Sequence, residues 1–435
     1  MELNPVIVSV ILLCILCLMR VNVLLSLIIS AIAAGLCAHM SIDKIMNTFI
    51  SGMGANSETA LSYILLGAFA AAMTHTGLAQ ILARRIALVI KDNKYLLLLI
   101  IGTIAVMSQN LIPIHIAFIP ILIPPLLGVM NKLELDRRAV ATTLAFGLKA
   151  PYIAIPAGFG LIFQGLIAEN MTQSGIEVLK TDVWKSTWFL GFAMFIGLLI
   201  SIFITYRKPR KYKDLDPIYD EKSFSEKSLR LRRKHYITLL GAFATLAVQL
   251  WSGSLPLGAL VGLGIIFGAK AVRRRHMDKL INEGIGLMGY VAFVMLIAAG
   301  FALVLQETGG VESLLDWLLP YMQTSKLISV ILMLLIGLLI TMGIGTSFGT
   351  IPILAVLFVP LCAKLGLSTP ASIIVFAAAS ALGDAGSPAS DTTLGPTAGL
   401  NADGAHNHIQ DTCIPTFLHF NIALILAAVI AVYIF

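Results

Sequence analysis

Ten long apolar runs constrain this chain more than any other sequence feature. Many of them approach the ~20 residues that a helix needs to cross a bilayer. Only 12% of the residues are charged and the mean hydropathy is +0.92, whereas a soluble domain averages about 25% charged residues. The sequence therefore predicts an all-α, polytopic protein embedded in a lipid bilayer. The runs cover residues 4–19, 23–38, 59–73, 95–106, 186–205, 236–250, 255–269, 285–305, 327–342 and 414–435.

A strongly basic segment, residues 207–235, lies between two of these runs. It holds eleven Lys and Arg residues against five acidic residues, a net charge of +6. Basic segments also occur in proteins that bind nucleic acid, but between two apolar runs such a segment is typical of a cytoplasmic loop. We therefore expect a cytoplasmic linker in a protein of the bacterial inner membrane, and no nucleic-acid partner.

Two parts of the sequence match each other at a constant offset of 232 residues. The matched pairs include Gly52 with Gly284, Phe69 with Phe301, Thr76 with Thr308, Ile119 with Ile351 and Pro156 with Pro388. One offset shared over about a hundred residues indicates an internal duplication. We predict a first repeat at residues 1–206 and a second repeat at residues 236–435, joined by the basic linker 207–235.

The charges predict how two hairpins enter the membrane. Basic residues flank the stretch 95–130 on both sides, so both of its ends are expected in the cytoplasm and the stretch is a predicted re-entrant hairpin. The equivalent stretch 326–364 follows acidic residues and is expected to enter from outside. Five spans in each repeat then give ten spans, an inverted second repeat and two outside termini. The hairpin tips are expected at Ser108-Gln109-Asn110 and at Gly343–Gly349, which includes Thr346 and Ser347.

Two clusters of proline and glycine fall at equivalent places in the repeats. One is Lys149–Gly158, within a predicted helix at 139–168, and the other is Gly383–Thr393, within a predicted helix at 371–400. Proline removes a backbone N–H group and clashes with the preceding turn. Irregular backbone at membrane depth is tolerated only where it is buried in protein or lines a cavity. We therefore predict that both helices are broken.

The second break carries the residue types that bind a hard monovalent cation. Asp384 and Asp391 lie among hydroxyl groups, and the free carbonyl groups of a broken helix add further oxygen ligands. The first break offers the cation Lys149 instead, which could neutralise a carboxylate or carry a proton. The alternatives are that the aspartates lie in a loop and that the Lys149 side chain reaches the membrane surface. The predicted cation ligands are Asp384, Ser387, Ser390, Asp391 and Thr392.

The second break resembles the signature of the NhaC-type Na⁺/H⁺ antiporters of the ion transporter superfamily. The resemblance rests on Gly383-Asp384-x-x-Ser387-Pro388-x-Ser390-Asp391-Thr392-Thr393. The segment Asn401–Ile409 and the following Asp411–Phe417 resemble a sub-branch whose members are named as Na⁺/H⁺ antiporters or amino-acid transporters. The resemblance implies a static scaffold, a mobile transport unit that moves as an elevator, a homodimer, and Na⁺ or H⁺ as the coupling ion.

The first half departs from what a simple cation exchanger needs, because its break has no acidic residue. This asymmetry favours a zwitterionic or anionic organic substrate beside the cation. The predicted function is cation-coupled transport of a small amino acid or organic anion, and the alternative is Na⁺/H⁺ exchange with no organic substrate. The predicted substrate-binding residues are Ser108, Gln109, Asn110, His115, Lys149, Tyr152, Thr346, Ser347 and Ser387.

Other chemistries find no support in the sequence. The chain has no His-Glu-x-x-His zinc motif, and we do not expect an enzyme. His406 and His408 lie in a Gly/Asn/Asp-rich stretch that indicates a loop rather than a metal site. The five cysteines are expected to pack as small hydrophobic residues. We predict no cofactor and no metal beyond the coupling ion.

Overall fold

The computed structural model of the chain describes residues 4–435 apart from residues 79–80, 82–84, 86–87, 91–92, 111–117, 213–230, 253, 319 and 321–324. Within the described residues, each element of regular secondary structure is a helix. The all-α prediction is confirmed for this part of the chain. The helices are α1 (Pro5–Leu18), α2 (Val23–Cys37), α3 (Ile42–Met53), α4 (Ser57–Thr76), α5 (Lys94–Asn110), α6 (Ile119–Lys132), α7 (Arg137–Ala154), α8 (Phe159–Gln173), α9 (Lys180–Ile200), α10 (Arg233–Ser252), α11 (Leu255–Gly268), α12 (Met277–Glu307), α13 (Gly310–Leu318), α14 (Lys326–Ile344), α15 (Ser347–Lys364), α16 (Thr369–Ala381), α17 (Asp391–Leu400) and α18 (His408–Ile434).

Several of these helices are long and apolar enough to cross a membrane. They are α9 with its π-helical end (Lys180–Thr205), the second part of α12 (Met288–Glu307), α14 and α18. The pair α7–α8 and the two halves of α15 meet the same criterion jointly, with bends of 48° and 52°. Shorter apolar helices of 10–17 residues accompany them. The prediction of a multi-pass membrane protein is confirmed, whereas the ten spans and the inverted repeats stay predictions.

The described helices pack in two groups. In the first group, α12 packs along α2, α3 and α4, and α11 packs against α10 and α4. The α4–α12 crossing is close, because a Cβ atom on Gly67 would lie 2.5 Å from the carbonyl oxygen of Gly284. In the second group, α5 and α9 pack on α7, and α16 lies among α9, α14, α15 and α18. Smaller contacts, such as those of α1 and α12 with α14, join the two groups.

The first break lies slightly later than its sequence pattern suggests. Asp136 caps the start of α7 by accepting a hydrogen bond from the Arg138 N–H group, and the helix continues through Pro151 to Ala154. Residues 155–158 are irregular, and α8 then leaves at 48° to α7. Lys149 therefore lies on the last turns of α7 itself, just before the break.

The second break is longer and lies deeper in the protein. Helix α16 ends at Ala381, and the nine residues 382–390 are irregular and buried before α17 begins at Asp391. Nearby, α14 ends at Ile344, where the chain turns at Gly345 with φ +78° and α15 begins at Ser347. The tip of the second predicted hairpin thus lies at an observed turn. In the first predicted hairpin, the connection 111–117 is outside the described residues.

Candidate functional site

A buried ion pair forms the centre of the site. Lys149 Nζ lies 2.9 Å from Asp384 Oδ2. The lysine side chain is 0% exposed and Asp384 is 4% exposed. Removing two charges from water is costly unless they pair and their remaining hydrogen-bonding positions are filled. The two side chains come from the two broken helices, so the acidic group that the first break lacks is supplied by the second.

Two hydroxyl groups complete the environment of Asp384 Oδ2. Tyr152 Oη donates to it at 3.0 Å and Ser347 Oγ donates at 2.7 Å. The same two hydroxyls lie 3.3 Å from Lys149 Nζ and 3.0 Å from each other. The Tyr152 ring packs against the rings of Phe163 and Phe348. We call this arrangement of Lys149, Tyr152 and Ser347 around Oδ2 the ammonium face of Asp384.

The other carboxylate oxygen has a different environment. Ser390 Oγ donates to Asp384 Oδ1, and Thr392 Oγ1 lies 3.4 Å from it. Thr392 Oγ1 also donates to the Asp384 carbonyl oxygen at 3.0 Å and lies 2.8 Å from Ser390 Oγ. The half-buried Asp391 brings Oδ1 to 3.5 Å from the same serine hydroxyl. We call this all-oxygen set the hydroxyl face of Asp384, and it has the ligand type that suits a hard cation.

Two glycines allow the chain to present Asp384 in this way. Gly383 has φ +85° and Gly386 has φ +111°, a region that side chains disfavour. A Cβ atom on Gly383 would lie 2.5 Å from the Leu338 carbonyl oxygen, so the irregular segment packs directly on the backbone of α14. Ser390 then caps α17 by accepting from the Thr392 N–H group at 3.1 Å.

Ser387 has a structural environment rather than a place on either face of Asp384. Its hydroxyl donates to the Met342 carbonyl oxygen at 3.1 Å and accepts from the Ala389 N–H group at 3.2 Å. These bonds fasten the irregular segment to α14 and to itself. The sequence analysis predicts Ser387 as both a cation ligand and a substrate ligand, because the sequence alone cannot distinguish its hydroxyl from that of Ser390.

The structure distributes the remaining predicted substrate residues unevenly. Ser347 belongs to the ammonium face, whereas the adjacent Thr346 is exposed. Ser108 is buried, but its hydroxyl donates to the Ala105 carbonyl oxygen in its own helix at 2.7 Å. Gln109 is also buried near the end of α5. Asn110 is the last residue of α5, and His115 lies outside the described residues.

Sequence reasoning missed a second buried ion pair, between α7 and the segment after α17. Arg137 is 0% exposed and binds Asp403 through both nitrogens, with Nη1 2.7 Å from Oδ1 and Nη2 2.5 Å from Oδ2. Its Nη1 also donates to the Leu400 carbonyl oxygen at 2.9 Å. Burial alone would raise the pKa of Asp403, but the hydrogen bonds and charge of Arg137 outweigh it and hold this pKa below its ordinary value. In the sequence, Arg137 is recognisable only as one of the basic residues that follow the stretch 95–130.

The first residues of the basic linker join this second ion pair. The Tyr212 ring stacks on the Arg137 guanidinium, whose Cζ atom lies 4.3 Å from the ring centroid. The Tyr212 hydroxyl accepts a hydrogen bond from the backbone N–H group of Arg137 at 2.8 Å. Arg210 Nη1 lies 2.7 Å from Asp411 Oδ1 at the start of α18. The linker therefore begins docked on the ends of α7 and α18.

The two histidines of this region both form hydrogen bonds. His406 lies in the irregular segment 401–407, as the sequence predicts, and His408 is the first residue of α18. His406 Nε2 lies 2.7 Å from Thr412 Oγ1, and His408 Nε2 lies 3.0 Å from the Pro388 carbonyl oxygen. Burial lowers the pKa of His406 to about 3, and the nearby Asp411 carboxylate opposes this only in part. His406 is therefore a neutral, buried side chain at neutral pH.

Comparisons with known proteins agree on the kind of family to which the chain is similar. The model of a family described as the Na⁺/H⁺ antiporter family matches residues 143–432, and a second model, described as a Na⁺-H⁺ antiporter family, matches residues 4–90. The uncharacterized membrane protein VP2115 of Vibrio parahaemolyticus is 44% identical over 441 residues, which cover 98% of this chain and 99% of that protein. The Bacillus subtilis protein YuiF, whose name gives it provisionally as an amino acid transporter, is 44% identical over 438 residues, with 98% and 99% covered.

Similarity to solved structures is much lower. The crystal structure of the YdaH transporter of Alcanivorax borkumensis gives a TM-score of 0.44 at 14% sequence identity, covering 90% of this chain and 88% of that chain. At this level the similarity supports no argument about the site.

Proposed function

The chain belongs to the Na⁺/H⁺ antiporter family, and from that premise we propose that it exchanges Na⁺ for H⁺ across the bacterial inner membrane at Asp384. The observation that carries this proposal is the division of one buried carboxylate between two environments. Oδ2 is paired with the Lys149 ammonium, and Oδ1 faces the hydroxyls of Ser390 and Thr392. A cation and a protonated lysine therefore compete for one negative charge.

Electrostatics couple the two ions at this carboxylate. Na⁺ binding at the hydroxyl face uses the negative charge that now compensates Lys149. A buried ammonium without a counter-charge is costly at membrane depth. Release of a proton from Lys149 removes that cost, because the neutral amine needs no counter-charge. In the reverse step a proton returns to Lys149, the ion pair re-forms and Na⁺ leaves.

We assign the remaining residues of the site to supporting roles. Tyr152 and Ser347 keep Oδ2 hydrogen-bonded in both states, since each hydroxyl can donate to the carboxylate whether or not Lys149 is protonated. Asp391 borders the hydroxyl face and is only half-buried. It is therefore placed to act as an outer ligand while Na⁺ enters or leaves.

The packing of the helices supports an elevator movement. The ion pair lies wholly within the second helix group, on α7 and the segment 382–390, while α2–α4 and α10–α12 pack together as the first group. Movement of the second group along the first would expose Asp384 to the two sides in turn.

The signature Gly383–Thr393 supports placing the chain in the NhaC-type branch, with two inverted repeats of five spans each.

A second candidate function is Na⁺-coupled transport of an amino acid, and it deserves testing because the relative YuiF bears that name. In this alternative, Na⁺ occupies the hydroxyl face and Lys149 keeps its proton. The ammonium, Tyr152 and Ser347 then bind a substrate carboxylate. The two functions differ in what restores neutrality near Lys149, which is loss of a proton in one case and arrival of a carboxylate in the other.

One pair of assays separates the two functions. Proteoliposomes that contain a pH-sensitive dye receive a Na⁺ pulse outside, with choline as the control salt. Exchange predicts alkalinisation of the lumen with Na⁺ only, and its loss in Asp384→Asn. In parallel, the vesicles are tested for Na⁺-dependent counterflow of labelled amino acids. Counterflow without proton movement would support the second function, and the absence of both activities would overturn the proposed site.

A further inference from the structure

We infer that Asn421 is a positioning residue that holds the backbone on both sides of Asp384. This inference rests on the proposed function, because its consequence is a change in cation affinity at Asp384. Asn421 lies on α18, remote in sequence from the second break, and it is 1% exposed. Neither the sequence pattern nor the resemblance singled it out.

The carboxamide of Asn421 forms one hydrogen bond to each neighbour of Asp384. Its Oδ1 accepts from the Gly383 N–H group at 3.2 Å, and its Nδ2 donates to the Ala385 carbonyl oxygen at 2.9 Å. The two bonds therefore bracket the residue whose carboxylate pairs with Lys149. A primary amide provides an acceptor and a donor side by side, as a neighbouring strand would.

This pairing replaces hydrogen bonds that the break removes. The segment 382–390 is buried and irregular, so its backbone groups lack the regular hydrogen bonds of a helix and need other partners. On the opposite side, Gly383 packs on the Leu338 carbonyl oxygen and the Met342 nitrogen of α14. The peptide groups next to Asp384 are therefore fixed between α14 and α18.

The local structure of α18 contributes to this placement. The residues Phe417–Asn421 form a π-helical turn, and Asn421 is its last residue. A π-helical turn inserts one extra residue into the helix and is frequent at functional sites. In the same turn, Phe417 contacts the position where a Cβ atom of Gly386 would lie, at 2.5 Å. One face of this turn thus supports the irregular segment through a ring and through a carboxamide.

Loss of the two Asn421 hydrogen bonds should change the affinity for Na⁺ rather than the number of folded molecules. Removing a residue that orients a metal ligand by hydrogen bonding typically weakens metal binding by about 10–100-fold. We expect Asn421→Leu, which fills a similar volume and has no polar atoms, to weaken Na⁺ binding to this extent.

The test is binding of radioactive ²²Na⁺ to the purified, full-length protein in detergent, measured as both dissociation constant and saturating amount. The control is Asn170→Leu, since the Asn170 amide donates to the Leu166 carbonyl oxygen of its own helix. A positioning role predicts a 10-fold or larger increase in the dissociation constant for Asn421→Leu, with saturation per folded molecule unchanged. The Asn170→Leu control should match the wild type. Unchanged affinity in Asn421→Leu would overturn the inference.

A second measurement does not depend on Na⁺ binding. Melting temperatures are compared for Asn421→Leu, Asp384→Asn and the double variant. If Asn421 acts by holding Asp384, the decrease in the double variant is smaller than the sum of the single decreases, because coupled sites are not additive. Additive decreases would overturn the inference. If the wild type itself binds no Na⁺, the proposed function fails. The comparison of melting temperatures then decides the role of Asn421 without any Na⁺ measurement.

Discussion

Lys149 Nζ and Asp384 Oδ2 lie 2.9 Å apart although 235 residues separate them in the chain. The first residue lies near the end of α7, and the second lies in the irregular segment between α16 and α17. The contact therefore joins the two broken helices at one point. Stability and ion binding should both depend on it, and separate variants can distinguish these two contributions.

Removing one partner of the pair should be worse for stability than removing both. Asp384→Asn leaves the buried Lys149 side chain without its ion-pair partner, and removing one partner of a buried ion pair typically costs 3–5 kcal/mol. The double variant Asp384→Asn with Lys149→Met has no buried charge at this point and should regain much of that loss. Thermal unfolding in detergent measures the difference. Neither variant should transport.

The matched control for this experiment is Asp391→Asn, because Asp391 is half-buried and its carboxylate lies 3.5 Å from Ser390 Oγ. We expect it to reduce Na⁺ transport with a smaller decrease in melting temperature than Asp384→Asn. A double variant that is no more stable than Asp384→Asn alone would contradict the ion-pair account.

The Arg137–Asp403 pair should make stability depend on acid pH. The pKa of Asp403 is lowered in the folded protein, so its contribution is present above the unfolded pKa of about 4. The contribution is lost as pH falls through the folded pKa, which lies below that value. The difference in melting temperature between wild type and Asp403→Asn should therefore be large at pH 6 and should shrink towards pH 3. A constant difference over this range would contradict the assignment.

Gly383 should be intolerant of a side chain for two reasons. Its φ of +85° and the 2.5 Å approach to the Leu338 carbonyl oxygen both oppose a Cβ atom. We expect Gly383→Ala to cost roughly 1–3 kcal/mol from strain and overpacking and to abolish transport. Gly264→Ala on α11 is the control, because its Cβ atom would meet no other part of the described chain within 4 Å beyond its own helix. Equal melting temperatures for the two variants would show that the irregular segment is not packed as described.

The breaks in the helices could be predicted from the sequence because proline and glycine act locally. Pro151 and Pro156 restrict the backbone and Gly383 permits a positive φ whatever surrounds them, and the structure has irregular segments at 155–158 and 382–390. The extent of each break could not be predicted in the same way. Helix α7 continues through Pro151 because its packing in the second helix group outweighs the hydrogen bond that proline removes.

Contacts between the two halves could not be predicted, because no local pattern encodes them. The lack of an acidic residue near Lys149 in sequence suggested that a substrate carboxylate would be its partner. In the structure, Asp384 is that partner. Likewise, Ser387 and Ser390 are alike in sequence, and only the conformation of the segment turns one towards the α14 backbone and the other towards Asp384.

The proposed topology can be tested with single cysteines in a cysteine-free variant. Cysteines at positions 215–228, which lie outside the described residues, should react only with reagents that reach the cytoplasm. Cysteines at positions 172–180, around the end of α8, should react from outside. The positive-inside rule is the physical basis for both assignments. The reverse labelling pattern would contradict the inverted-repeat arrangement.

The central claim is that Na⁺ and the proton of Lys149 compete for Asp384, and equilibrium Na⁺ binding across pH 6–9 tests it most directly. Purified wild type and Lys149→Met are compared with and without a mixture of amino acids. The account predicts that wild-type affinity for Na⁺ increases with pH, that Lys149→Met binds Na⁺ with little dependence on pH, and that amino acids change neither result. Lys149→Met with the same pH dependence as wild type would contradict the account.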